Sequence, residues 1–494
     1  MMRGSCFLAA ILVVFSPILL PAEDPAKGHY ESALIFLKDQ KIPQALEDLS
    51  LIVKSFPQSP YADDALFQLG LLSLEQGQSD QALQFFRQIK ESYPASDSAP
   101  AAYYHMGEIY LSRPDPTSLD EALANFQRVT RVYPDSEWVD ESLVGAGTVL
   151  RKRNQFDKAW SEFAKVKVRF AAGPIAARAQ YEMGVCSLYG NHFLEASHEF
   201  QQVIHRNPSS EYAKAALEMN TILYRLYFAP KTAKVYSPDP SFGGTIAELD
   251  EPSGMAIDTK GIIYLSDKGK KSVHTLDPSG RITGTSTLLS PYFPALNAQN
   301  KVLIANDSVV TWLGRESVSF PNPAGKIEPL DEIRSAAVNA SGTYFLVSNK
   351  FHGILVYDAN RVLTSEFSFS RTEREYYKVL INSRNQILAT DKDRRQIFAY
   401  GTDGKLLFTL GPSGKGYTIE KIEDFAVDQS NHIYVLEKNP RSVLIFSPSG
   451  DFLKYVVSQE KTTLDFDDAK LIAVGPSGSL YLLDKNKRRI LKIG

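Results

Sequence analysis

Apolar residues along the first half of the chain recur with a helical period, and along the second half they alternate. Within residues 92–111 Tyr103, Met106, Gly107 and Tyr110 fall at i, i+3, i+4 and i+7, which places them on one helix face. From about residue 241 the pattern becomes short alternating runs such as "GMAID" and "IIYLSD", punctuated by Pro and Gly turns. The change occurs through "FAPKTAKVYSPDPSFGG", where Pro230, Pro238 and Pro240 interrupt any helix. The pattern therefore predicts a multidomain α plus all-β protein, with a helical domain over 23–228, a linker over 229–240 and a β domain over 241–494.

The helical half is a repeat. An aromatic or its replacement stands at Phe56, Tyr93, Tyr133, Phe170 and Asn207, at intervals of 37, 40, 37 and 37 residues, and Gly70, Gly107, Gly147 and Gly184 keep the same spacing. Ala82, Ala159 and Ala196 follow their glycines by twelve residues, and Ala122 by fifteen because of the three-residue insertion at "RPDPTS". Each unit reads as a helix pair that is small at its crossing, with Phe86, Phe126, Phe163 and Phe200 filling the space beside it. "FPQSPYADDA", "YPASDSAPAA", "YPDSEWVDES" and "NPSSEYAKAA" are stop and start signals. Proline ends one helix and a following Ser or Asp caps the next. "RFAAGPIAARA" keeps the length and loses the Pro-x-Ser.

The order aromatic, small Gly, Ala, Phe, Pro resembles the tetratricopeptide repeat, with about five repeats and a capping helix. Its aromatic-Pro-x-Ser variant is similar to repeats of bacterial envelope proteins, notably the Tol-Pal-associated cell-division coordinator and the outer-membrane assembly lipoprotein. The resemblance implies an α-solenoid whose first helices line a concave groove for protein or peptide partners. Counting from the small glycines puts Phe67, Leu74, Tyr104, Glu108, Arg151, Arg178 and Tyr181 on that groove, and packing between neighbouring units is the competing role for its aromatics.

The β half repeats too. Turn-starting residues Asp258, Asn297, Asn339, Asn382, Asp428 and Gly475 follow one another at 39, 42, 43, 46 and 47 residues, which counts six blades. The last blade runs out of sequence after a third strand, so its outer strand is expected from about 234–247, closing the ring. The blade phrase Pro-x-Gly, small-apolar-Asp, Gly-x-Ile-Tyr, Asp and Asp-Pro-x-Gly resembles the NHL-type β-propeller, with the second blade the most degenerate.

Composition narrows the function classes. With 54 basic and 57 acidic residues and a net charge of −3, the 494-residue chain lacks the clustered basic excess of a nucleic-acid binder. Residues 1–22 read as a secretory signal peptide, with Arg3 ahead of an apolar run and small Ala22 at the cleavage point. The mature chain is then expected to be periplasmic, without a membrane span. Of the two cysteines only Cys186 would remain, and it reads as a buried small hydrophobe.

Relatives of the propeller resemblance include amidating lyases with a His-bound metal and lactonases that hold calcium on acids, so a metal-dependent hydrolase or lyase with a helical targeting module is the alternative function. His274, His352 and His432 fall at different blade positions, and Asp258, Asp267, Asp391, Asp428, Glu437 and Asp484 recur in register with the blades, as turn-capping residues do. "GPSGKGY" at 411–417 lacks the spacing of a phosphate loop and reads as a hairpin. The expectation is a non-catalytic interaction scaffold of the cell envelope, with no cofactor and no metal.

Overall fold

The computed structural model describes residues 24–494 apart from 114–116, 170–172, 231–235, 316, 327–329, 331, 352, 369–375, 392, 394, 439–441 and 458–467. The signal-peptide segment and His352 lie outside the described residues. Among the described residues no helix is long and apolar enough to cross a membrane.

Eleven α-helices come first: α1 (Pro25–Lys38), α2 (Ile42–Ser55), α3 (Ala62–Glu75), α4 (Ser79–Ser92), α5 (Ser98–Ser112), α6 (Ser118–Val132), α7 (Val139–Lys152), α8 (Phe156–Arg169), α9 (Pro174–Tyr189), α10 (Phe193–Arg206) and α11 (Glu211–Leu223). α1 packs with α2, α3 with α4, α7 with α8 and α9 with α10, and α11 runs into a π-helical turn at Tyr224–Phe228. The repeated glycine has a steric cause. A Cβ on Gly70 would stand 2.4 Å from the ring of Phe86, and one on Gly184 would stand 2.6 Å from that of Phe200. These phenylalanines are fully buried, so the missing side chain makes room for the aromatic that seals each pair.

The recurring aromatic also has a partner. The Tyr93 hydroxyl donates to the carbonyl of Pro57 at 2.6 Å, and the Tyr133 hydroxyl donates to that of Pro94 at 2.7 Å. Each phrase thus ties back to the phrase before it. Ser210 caps α11 by accepting from the Ala213 amide at 3.2 Å. Where the Pro-x-Ser is lost, α9 instead starts on Pro174 after Gly173, whose φ of 112° suits glycine.

The chain divides into two compact units, residues 1–109 with 128–138 and residues 110–127 with 139–494. The first is built around Ala33, Leu49, Ile52, Ala65 and Leu69. The second holds α7–α11 and the whole β region. The division expected at 229–240 therefore meets a shared core: Ile222 and Leu226 pack with Tyr434, Leu436, Ile472 and Leu482 of the sheets. The helical period and the β alternation change at the linker, but apolar residues on both sides of it are buried together.

Six antiparallel sheets form the blades of a β-propeller. Their innermost strands are Pro252–Ile257, Pro294–Leu296, Ile333–Val338, Tyr376–Ile381, Ile422–Val427 and Ala469–Val474. The second blade has short strands, the outermost only Ser317–Val318. The sixth has three strands of its own. Residues 237–246 run antiparallel beside its last strand, Arg489–Ile493, through Pro238↔Ile493 and Thr245↔Arg489 bridges. Asp239 N donates to Lys492 O, Ile246 N to Arg488 O and Ile490 N to Gly244 O, each at 2.8 Å. "GPSGKGY" carries a small hairpin that pairs Ser413 with Thr418.

Candidate functional site

The turn after the innermost strand is set by one side chain in five blades, and in the sixth by backbone bonds of Gly475 to Ser479 and Gly478. Asp258 Oδ1 accepts from the amides of Lys260 and Ile262 at 2.9 and 2.8 Å, and Asn297, Asn339, Asn382 and Asp428 repeat the same pair of bonds in their own blades. The carboxylates at the far end of the second strands serve backbone as well. Asp267 accepts from the amides of Asp250 and Glu251 at 2.9 Å, Asp484 from Lys487 at 3.0 Å and Asp391 from Arg395 at 3.0 Å. Glu437 takes the amide of Glu420 at 2.5 Å, and burial pushes its pKa up to about 7. Repetition of these acids in register thus follows the repetition of the turns and loops they hold.

The histidines are dispersed. His274 lies in the third strand of the first blade between Ser272 and Thr285. His432 is fully buried in the fifth blade, where its Nδ1 stands 3.2 Å from Asp428 Oδ2 and its Nε2 2.8 Å from the hydroxyl of Tyr227. The carboxylate fixes the proton on Nδ1, so Nε2 accepts from the tyrosine. Asp428 also accepts from the Tyr434 hydroxyl at 3.0 Å. Cys186 is buried, and desolvation raises its pKa to about 12. In the first unit, donor atoms of Asp63, Asp64 and Asp97 lie within 4.8 Å of one another, with Ser98 donating to Asp64 at 2.9 Å.

The groove residues predicted from the glycine count belong to both units. Phe67, Leu74, Tyr104 and Glu108 lie in the first, and Arg151, Arg178 and Tyr181 in the second. The aromatics pack between helices: Phe67 lies 5.9 Å from Phe86, Tyr104 4.9 Å from Trp138 and Tyr181 5.7 Å from Tyr212, centroid to centroid. Leu74 is half-buried, and Glu108 and Arg178 are exposed. Arg151 Nε stands 2.9 Å from Glu182 Oε2.

Sequence reasoning missed the propeller axis. Ile257, Leu296, Val338, Ile381, Val427 and Val474, the last residue of every innermost strand, line both an axial cavity of about 170 Å³ and a larger chamber of about 800 Å³. Inside the axial cavity Lys378 Nζ meets Asp424 Oδ1 at 2.6 Å and the Phe425 carbonyl at 2.8 Å, both side chains nearly inaccessible. Asp424 also accepts from the amides of Phe425 and Ile472 at 2.8 and 3.0 Å. The chamber is bounded by the blade turns on one side, and by Arg151, Lys152 and Tyr189 on the other. Its wall includes Arg384, whose guanidinium lies 5.4 and 5.3 Å from the ring centres of Phe156 and Tyr189 and donates to the Tyr189 carbonyl. The tell in the sequence was slight: an arginine directly after the turn-starting Asn382 and its serine.

A tetratricopeptide repeat model matches residues 64–96, which span α3, α4 and the turn between them. The helix pairs are tetratricopeptide-type repeats, and the sheets a six-bladed propeller whose blade phrase is similar to the NHL type. Solved structures similar to the chain include a streptogramin B lyase (12% identity over 52% of this chain and 97% of that one, TM-score 0.39) and virginiamycin B lyase from Staphylococcus aureus (11%, 50% and 81%, TM-score 0.36). A Bacteroides thetaiotaomicron protein is similar at 10% identity over 52% of this chain and 73% of that one, with a TM-score of 0.41. No curated protein matches the chain.

Proposed function

We propose that the chain is a non-catalytic interaction scaffold of the bacterial cell envelope, holding protein partners on its tetratricopeptide helices and on its propeller. The observation that carries this reading is the fastening of helices to blades within the second unit. Tyr227 bonds His432, Arg225 donates to the Ser477 carbonyl at 3.0 Å, and Lys454 donates to the Arg225 carbonyl at 2.6 Å. Two recognition folds joined by partly buried bonds keep their surfaces at a fixed spacing, which is the mechanical requirement of a scaffold. The signal-like segment at 1–22 supports an exported location.

Exposed Glu108, on the helices of the first unit, and exposed Arg178, on those of the second, each offer a charge by which an extended or helical peptide segment is selected. Packing assigns Phe67 and Tyr104 to helix contacts of the first unit and Tyr181 to those of the second. The test is affinity purification of the full chain after crosslinking in the native cell, beside Glu108→Lys and Arg178→Glu. Loss of one defined partner from the variants, with unchanged helical circular dichroism, is the expected result. Identical partner recovery from wild type and both variants would remove these residues from the binding surface.

A further inference from the structure

The 800 Å³ chamber has three zones of different chemistry. Its floor is the ring of Ile257, Leu296, Val338, Ile381, Val427 and Val474, one apolar side chain per blade around the propeller axis. Above the floor lies the rim of Asx side chains, whose Oδ1 atoms are taken by turn amides. The remaining wall carries four cationic side chains, Arg113, Arg151, Lys152 and Arg384, against two carboxylates, Asp258 and Asp428. Both carboxylates are engaged, Asp258 by turn amides and Asp428 by amides, His432 and Tyr434. Arg151 has Glu182 as its counter-ion.

Arg384 has none. Among the described residues no carboxylate lies within ion-pair distance of it, and its Nε is buried without a hydrogen-bond partner. Two aromatic rings and one carbonyl hold the guanidinium in place, which removes the entropy that an arginine normally loses on binding. The hydroxyl of Tyr189, at 2.5 Å from Ser383 Oγ, fixes the same corner from the helical side. A half-buried cation, preorganised and lacking its anion, beside an apolar ring in a cavity of small-molecule size is a binding site for a molecule with one negative and one apolar end.

We infer that the chamber binds an amphipathic carboxylate, its carboxyl group on Arg384 and its apolar portion on the ring of blade residues. This goes beyond the scaffold reading and does not depend on any partner of the helices. The chemistry is shared by a free aliphatic acid and by the C-terminus of a peptide ending in apolar residues.

The test is calorimetric titration of the full chain with octanoate, octanamide, and a hexapeptide ending in Leu-Val as the free acid and as the amide. At least one acid should bind and its amide should bind about tenfold to a hundredfold more weakly, the range set by one charge-assisted contact. Arg384→Met, which keeps an aliphatic stem and removes the charge, should lose the same factor while its melting curve certifies the fold. Val338→Asp, which charges the floor, should weaken the acid without touching Arg384. Binding of octanoate alone assigns the site to free acids, and binding of the peptide acid alone assigns it to chain termini. Absence of both, equal binding of acid and amide, or full affinity in a folded Arg384→Met protein would overturn the inference.

Discussion

The hydroxyl of Tyr227, in the turn that ends the last helix, donates to Nε2 of His432 in the fifth blade across 2.8 Å. Nothing about either residue is unusual alone. Together with buried Asp428 and Tyr434 they form a polar chain that joins helix to sheet, and burial raises the pKa of both tyrosines. Removing one member leaves the next without a partner in a medium of low dielectric. Tyr227→Phe should lower the stability of the second unit by about 1–3 kcal/mol, read by chemical denaturation. A loss below the error of the measurement would show that His432 finds water instead.

The shared core around Ile222 and Leu226 gives a second expectation. A chain beginning at 211, which retains α11, should be more stable than one beginning at 229. Burial of two aliphatic side chains stabilises by about 3–6 kcal/mol. Equal melting temperatures of the two would place the energetic boundary at the linker.

Ring closure can be tested in the same way. Removing residues up to 249 deletes the backbone bonds of 237–246 to the last strand, the Asp239–Lys492 ion pair at 2.8 Å and the burial of Ile246. Relative to a chain beginning at 236, one beginning at 250 should lose on the order of 5 kcal/mol, as judged from urea midpoints.

At the propeller axis, Lys378→Met leaves Asp424 buried without its cation. A loss of about 3–5 kcal/mol is expected, and adding Asp424→Asn should restore part of it. Strictly additive losses would mean that the two charges do not stabilise one another.

Glu437 predicts a pH dependence. Its folded pKa, near 7, lies above the ordinary carboxyl range, so between about pH 4.5 and 7 the folded chain keeps a proton that the unfolded chain has released. Stability from this group is therefore complete below pH 4.5 and declines as the pH rises through 7. Glu437→Gln should flatten that part of the stability profile, and an unchanged slope would assign it to other groups.

What could be read in the sequence was whatever repeats. The 37-residue spacing located the helix pairs, and Gly70 and Gly184 showed where a phenylalanine needed room. Five Asx residues and Gly475 counted the blades, and the Asx residues were recognisable as turn caps because they kept register. Contacts that occur once left no such trace. Tyr227 and His432 are 205 positions apart, and Tyr189 and Arg384 195. Lys378 sits in "EYYKVLI" like any strand residue, and its partner Asp424 lies in the neighbouring blade. The groove residues were chosen by helical geometry, which cannot tell an aromatic facing a ligand from one wedged against Trp138.

The central claim is that α11 and the blades beneath it form one cooperative body on which a scaffold can rely. Native-state hydrogen exchange of the full chain tests this most directly, comparing amides of 211–228 with those of the innermost strands Ile422–Val427 and Ala469–Val474. The account predicts that the slowest amides of the helix and of these strands open with the same free energy, and that Tyr227→Phe lowers both by the same amount. A helix that opens at much lower free energy than the strands, with only the helix responding to the substitution, would contradict it.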